Sequence, residues 1–287
     1  MKLIFLLVVL ILSSESLYSQ AYCALRQPQS KIMTLFPDCE NYKTIVATID
    51  DDVRLRIESE LGFPLYFYEI GRHNLYAIKK KNKVIGVVHS RSEKSQWGLV
   101  EIIWSLNLDM SVKSYDFQRC RSASKKELMT DEFKSQIEGK TFNQLLAFEQ
   151  NPESISGYEN LSREGKTLCQ LLIRSSLKTL ALTELAWKDE LQDLRVRNIT
   201  GLSSEGSSFQ DKGKLTDGQR IELFKINEND YCFRINNTGM KYADYLGVIN
   251  DKGYEIIFSP TISSSAEKLE SHLEAIRNQL EKFSLKK

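Results

Sequence analysis

The chain has 287 residues, of which 41% are hydrophobic and 27% charged, enough apolar material for one or two ordinary domains and too much for a disordered tail. Lys and Arg number 39 against 38 Asp and Glu, a formal charge of +1 that excludes a globally basic nucleic-acid binder. Fourteen Gly and five Pro exclude collagen-like and Pro-rich classes, and five Cys are too few for a disulfide scaffold.

Met1-Lys2, the apolar run Leu3 to Leu12 and the polar stretch Ser13 to Gln20 follow the order of a secretory signal peptide. Residues 1–21 are read as that signal, with cleavage after Ser19 or Ala21. Its apolar core is ten residues long, whereas a bilayer span needs roughly 20. The mature chain is expected to be exported, periplasmic or secreted, with no transmembrane helix of its own. Cys23, Cys39, Cys120, Cys169 and Cys232 then meet an oxidising compartment, although no C-x-x-C motif occurs.

Asp50 predicts the cap of a short helix over Asp51 to Leu61 that stops at Gly62. The period then falls to two. Leu65–Ile70, Leu75–Lys79, Val84–His89, Leu99–Leu106 and Val112–Phe117 read as five strands of an antiparallel meander. One helix is expected from Ser124 to about Ile137, and then a mixed segment to Ser156. Ser162 caps the longest helix of this half, with Leu168, Leu171, Leu172, Ser175, Ser176 and Leu180 on one face.

Residues 22–187 thus form a first α+β unit, and 188–218, rich in Ser and Gly towards their end, read as a linker or loop region. Residues 219–287 form a smaller α+β unit. Its strands are Gln219–Ile226, Tyr231–Ile235, Tyr242–Ile249 and Tyr254–Phe258. An amphipathic helix follows from Ser264 to Phe283, with Leu269, Leu273, Ile276, Leu280 and Phe283 on its stripe. The fold class is α+β, two antiparallel meander-plus-helix units. Their shared element order raises internal duplication, against convergent meander chemistry.

Catalytic and metal motifs are sparse. His73, His89 and His272 lie far apart without ligand spacing. The Gly-Lys-Thr triplets at 139 and 165 lack the leading glycine of a phosphate loop, and no nucleophile–base pair is visible, which leaves hydrolase and transferase readings behind. What remains is Ile155-Ser156-Gly157 ahead of the helix capped at Ser162. Small residues there let backbone N–H groups and the positive helix end face an anion, or serve as ordinary capping.

From Leu35 to about Leu182 the chain resembles the FMN-binding domain of flavin-carrying subunits of ion-translocating quinone reductases and related exported redox proteins. The likeness is carried by Leu35-Phe36-Pro37-Asp38, Tyr76-Ala77-Ile78-Lys79, Lys83 to Val88, Gly98 to Asn107, Val112 to Phe117 and Phe133 through Gly139-Lys140. Ile155-Ser156-Gly157-Tyr158-Glu159 falls where that family has Ser-Gly-Ala-Thr and attaches FMN through the threonine. This chain carries Tyr158-Glu159 in place of Ala-Thr. Glutamate has no hydroxyl to esterify, and its charge opposes a phosphate.

The resemblance implies an exported FMN-binding-type protein with a role in membrane-associated electron transfer. Its flavin would be non-covalent, near Ser156, Gly157, Tyr158, Glu159 and Ser162, with Trp97 or Tyr158 as ring contacts. The implied partner is a membrane redox complex or another protein, with neither nucleic acid nor metal. The alternative is a flavin-free relative acting as an interaction or structural module.

Overall fold

A computed structural model describes residues 24–66, 69–201, 209–214, 219–227, 230–237, 245–250 and 253–258. The signal segment, Cys23 and the C-terminal amphipathic stripe lie outside the described residues. The class is α+β: two five-stranded antiparallel sheets, each a simple meander in chain order.

The first sheet joins β1 (Asn41–Ile49), β2 (Gly71–Lys80), β3 (Lys83–Ser95), β4 (Gly98–Leu106) and β5 (Val112–Arg119). Ahead of it lies α1 (Pro28–Leu35), and α2 (Asp51–Leu61) connects β1 to β2. As expected, the Asp50 side chain accepts from Val53 N–H and Gly62 ends α2 in the left-handed region at φ 70°. The five expected strands are matched in number but not all in place. Where Leu65–Ile70 is described it is not a strand: residues 64–66 have no regular structure and Glu69 sits in a 3₁₀ turn. β1 takes its place at the sheet edge. An edge strand is half-solvated, and β1 leaves Thr44, Val46 and Thr48 exposed, so its apolar signal was faint.

Alternation along the strands divides the sheet's two faces. Tyr76, Ile78, Val88 and Ile103 meet Ile32, Leu35 and Phe36 on one side. Leu75, Val87, Ile102, Trp104 and Tyr115 form the other side and join the main core. Gly86 is needed where the first face is tightest, because a Cβ there would meet the Phe36 ring and the Leu106 carbonyl at 2.7 Å.

The expected helix over 124–137 is two short ones, α3 (Lys125–Leu128) and α4 (Asp131–Ile137), divided where Thr130 caps the second by accepting from Phe133 N–H. The segment before Ser156 contains α5 (Phe142–Gln150) with a Thr141/Gln144 capping box. Next comes α6 (Arg163–Ala186), 24 residues long and buried almost without interruption from Ser175 to Glu184. It packs between the sheet and helices α2 and α5. Trp104 Nε1 donates to Ser175 Oγ at 3.2 Å, which ties the helix to β4.

The region read as a linker opens instead with a helix, α7 (Lys188–Thr200), whose Leu191, Leu194 and Val196 are buried. It carries the second sheet: β6 (Phe209–Lys214), β7 (Gln219–Lys225), β8 (Tyr231–Asn237), β9 (Tyr245–Asn250) and β10 (Gly253–Phe258). β6 also falls inside the stretch read as loop. Phe224, Cys232, Leu246 and Phe258 belong to the same apolar cluster as Trp104 and Leu180, so one core runs through both sheets. Arg195 of α7 bridges the two halves, donating to the Leu108 carbonyl at 2.7 Å while stacking on Phe258 at 3.5 Å. No helix among the described residues is long and apolar enough to cross a membrane.

A candidate binding cleft over a buried ring of charges

The inward face of β3 becomes polar beyond Val87. Period-two alternation points His89, Arg91 and Glu93 towards α6, and all three are buried. From α6, Lys178 and Thr183 meet them, and Glu69 and His73 complete the group from the turn and strand before β3.

Four of these side chains close a ring. Lys178 Nζ donates to Glu69 Oε1 at 2.8 Å, to Glu69 Oε2 at 3.0 Å and to Glu93 Oε2 at 3.1 Å. Arg91 pairs through Nη2 with Glu69 and through Nε with Glu93 Oε1 at 3.2 Å. Two cations thus bridge the same two carboxylates, and the ring is neutral. An ammonium group has three donors, and all three of Lys178's are engaged. Burial pushes the Glu93 carboxyl up, but Arg91 and Lys178 outweigh it and hold it below the usual glutamate range.

A directed chain of hydrogen bonds leaves the ring. The Glu69 carbonyl only accepts, so His73 Nε2, 2.9 Å away, carries a proton. His73 Nδ1 is then the acceptor for His89 Nε2–H at 3.3 Å, and His89 Nδ1 accepts from Thr183 Oγ1 at 2.9 Å. Both imidazoles are neutral Nε2–H tautomers. Burial, then the Arg91 charge, pushes His73 down to about 3. Burial, then His73 and Arg91, holds His89 well below 6.5. Among the described residues no cluster of His, Cys, Asp and Glu could hold a metal ion.

The ring floors a cleft of about 350 Å³. One wall is the segment Phe63-Pro64 with Tyr66, the second is the β3–β4 turn from Lys94 to Trp97, and the third is α6 from Thr167 to Lys178. Along the helix that wall is about 16 Å long, at 1.5 Å per residue. Glu93 and Lys178 are the ring members that reach the cleft. At its mouth the Arg174 guanidinium lies 5.4 Å from the Phe63 ring centre and donates through Nε to Glu149 at 2.7 Å.

The residues singled out in the sequence divide between two places. Trp97 is part of a wall of the cleft, half-buried, with its backbone N–H donating to Ser95 Oγ at 3.1 Å. Ser156, Gly157, Tyr158, Glu159 and Ser162 are not among its lining residues. Gly157 has φ 81°, the left-handed turn that glycine favours, and Ser156 and Glu159 are exposed. Tyr158 is buried under Lys166, and Gln170 hydrogen-bonds its side chain, which links this turn to the wall of the cleft. Ser162 caps α6 by accepting from Gly165 N–H at 2.9 Å.

The positive end of α6, read as either facing an external anion or ordinarily capped, is met from within the chain. Glu127 of α3 accepts from Ser162 N–H at 2.8 Å and from Ser162 Oγ at 2.7 Å. These bonds hold its carboxyl below the ordinary range. No sequence motif marked the ion ring, the histidine pair and Arg174, since their members are strung from residue 69 to residue 178. A faint trace existed in His89, Arg91 and Glu93, three polar side chains on the inner face of a strand.

No family model, curated protein or solved structure matches the chain.

Proposed function

We propose that this chain is an exported flavin-binding protein that holds FMN non-covalently in the cleft between the β3–β4 turn and α6. The observation that carries this reading is the company in the cleft: Phe63, Tyr66 and Trp97 beside Arg174, in about 350 Å³. That volume lies within the range of small-molecule sites, roughly 300–1,000 Å³. Planar rings gain affinity by stacking on aromatic side chains, and the exposed Arg174 cation favours an anionic group on the ligand.

Bound flavin supplies electron transfer, while the chain's own groups bind and orient it. The start of α6 does not fit the flavin phosphate, since it would face the carboxylate of Glu127. Titrating FMN into the purified protein while following flavin fluorescence tests the proposal. Saturable quenching, weakened at least tenfold by Trp97→Ala, is the expected result. A flat titration up to millimolar FMN would overturn it.

One observation favours a second reading. The N-terminus that would meet a phosphate is occupied by Glu127, as in a flavin-free relative acting as an interaction module. On that reading neither the wild type nor Trp97→Ala quenches flavin.

A further inference from the structure

We infer that Arg174 is the residue that makes the cleft select a phosphorylated planar ligand over its uncharged counterpart. The inference rests on the cleft being a ligand site and adds which end of the ligand is read, and by what.

The cleft floor cannot do this. Lys178 brings a positive charge, but its three donors are committed to Glu69 and Glu93. Its charge is balanced within a ring that contains two carboxylates and Arg91. An anion placed there would have to pull Lys178 away from buried carboxylates and leave them short of a partner, which is strongly unfavourable. The floor therefore suits the neutral, ring-like part of a ligand.

Arg174 differs in each respect. It stands at the mouth, with 56% of its side chain exposed. Only its Nε is engaged, by Glu149. The terminal nitrogens have no partner among the described residues, which leaves four N–H donors in the planar fork that matches phosphate oxygens. Two contacts fix its orientation before any ligand arrives: the Glu149 carboxylate on Nε and the Phe63 ring beside the guanidinium. A side chain held in this way loses less rotamer freedom on binding. A ligand with its ring between Trp97 and α6 and its phosphate at the mouth satisfies both ends. The start of α6, already held by Glu127, offers the phosphate no competing site.

Glu149 also gives a test of opposite sign. Its carboxylate holds Arg174 but repels an incoming phosphate, so Arg174→Gln and Glu149→Gln should move selectivity in opposite directions. The experiment measures dissociation constants for FMN and riboflavin with wild type and both variants, by flavin fluorescence, and adds inorganic phosphate as a competitor. Wild type is expected to prefer FMN by about tenfold, the low end for a hydrogen-bonded charged group at an open site. Arg174→Gln should bring FMN to the level of riboflavin and leave riboflavin unchanged. Glu149→Gln should widen the preference several-fold.

Equal affinity of wild type for the two flavins, or an equal loss of both in Arg174→Gln, would overturn the inference and leave the cleft reading intact. Binding of neither flavin would remove the cleft reading itself, and this inference with it. Displacement of FMN by phosphate at comparable concentration would reduce the mouth to a simple anion site and overturn the proposal.

Discussion

Lowering the pH from 7 to 5 is expected to remove about 2 kcal/mol of folding stability through His73 alone, with His89 acting in the same direction. His73 and His89 are fully buried and neutral, each committed as donor at Nε2 and acceptor at Nδ1. In the unfolded chain they titrate near 6.5, whereas the folded value of His73 is pushed down to about 3. Between these values the unfolded state binds more protons than the native state, so stability is present above 6.5 and drains away as pH falls towards 3. At pH 5 the unfolded imidazole has gained about 1.5 decades of protonation that the native one has not, or about 2 kcal/mol. His89, also buried and held well below 6.5, changes stability in the same direction.

The carboxylates do not blur this window. Glu93 and Glu127 are held below 4.5, so the stability they contribute is lost only at more acid pH. Denaturant unfolding at pH 7, 6 and 5 measures the slope. Proton NMR of the three histidines supplies the check: the C2–H signal of His73 should stay fixed from pH 7 to 5, and that of His89 should not titrate near 6.5. Two signals titrating near 6.5, or equal stability at pH 7 and pH 5, would refute the burial argument.

Two substitutions test the remaining polar contacts. Lys178→Met leaves Glu69 and Glu93 with Arg91 alone and so buries one uncompensated negative charge, at an expected cost of about 3–5 kcal/mol. Adding Glu93→Gln should recover part of that, and a loss below 1 kcal/mol for the single variant would show that the ring relaxes freely in urea unfolding. Gly165→Ala would ordinarily gain about 0.5–1 kcal/mol within a helix. Here the new Cβ meets the Glu127 carboxylate, and displacing it breaks the two bonds to Ser162, so a net loss of about 1 kcal/mol is expected. In a Glu127→Ala background the same change should turn favourable in thermal melts.

What the sequence determined by itself is local. Asp50 and Gly62 bound α2, Ser162 starts α6, and the alternating runs around 75–117 and 219–258 give the two meanders, because caps, turns and periodicity act within a few residues. Periodicity reports that a face is buried and is silent about what lies opposite. Tertiary packing therefore decided that the edge strand is Asn41–Ile49 rather than Leu65–Ile70, and that α7 rather than a linker leads to the second sheet. It also decided the site. The β2–β3 register, Leu75 opposite His89, brings His73 against a histidine 16 residues away. Burying α6 against β3 joins Lys178 to Glu69 across 109 residues. Folding α3 back onto α6 hands the helix end to Glu127, 35 residues from Ser162. Such pairs form only once the apolar faces have fixed the elements together, since burying a charge is tolerable only where its partner is already in place.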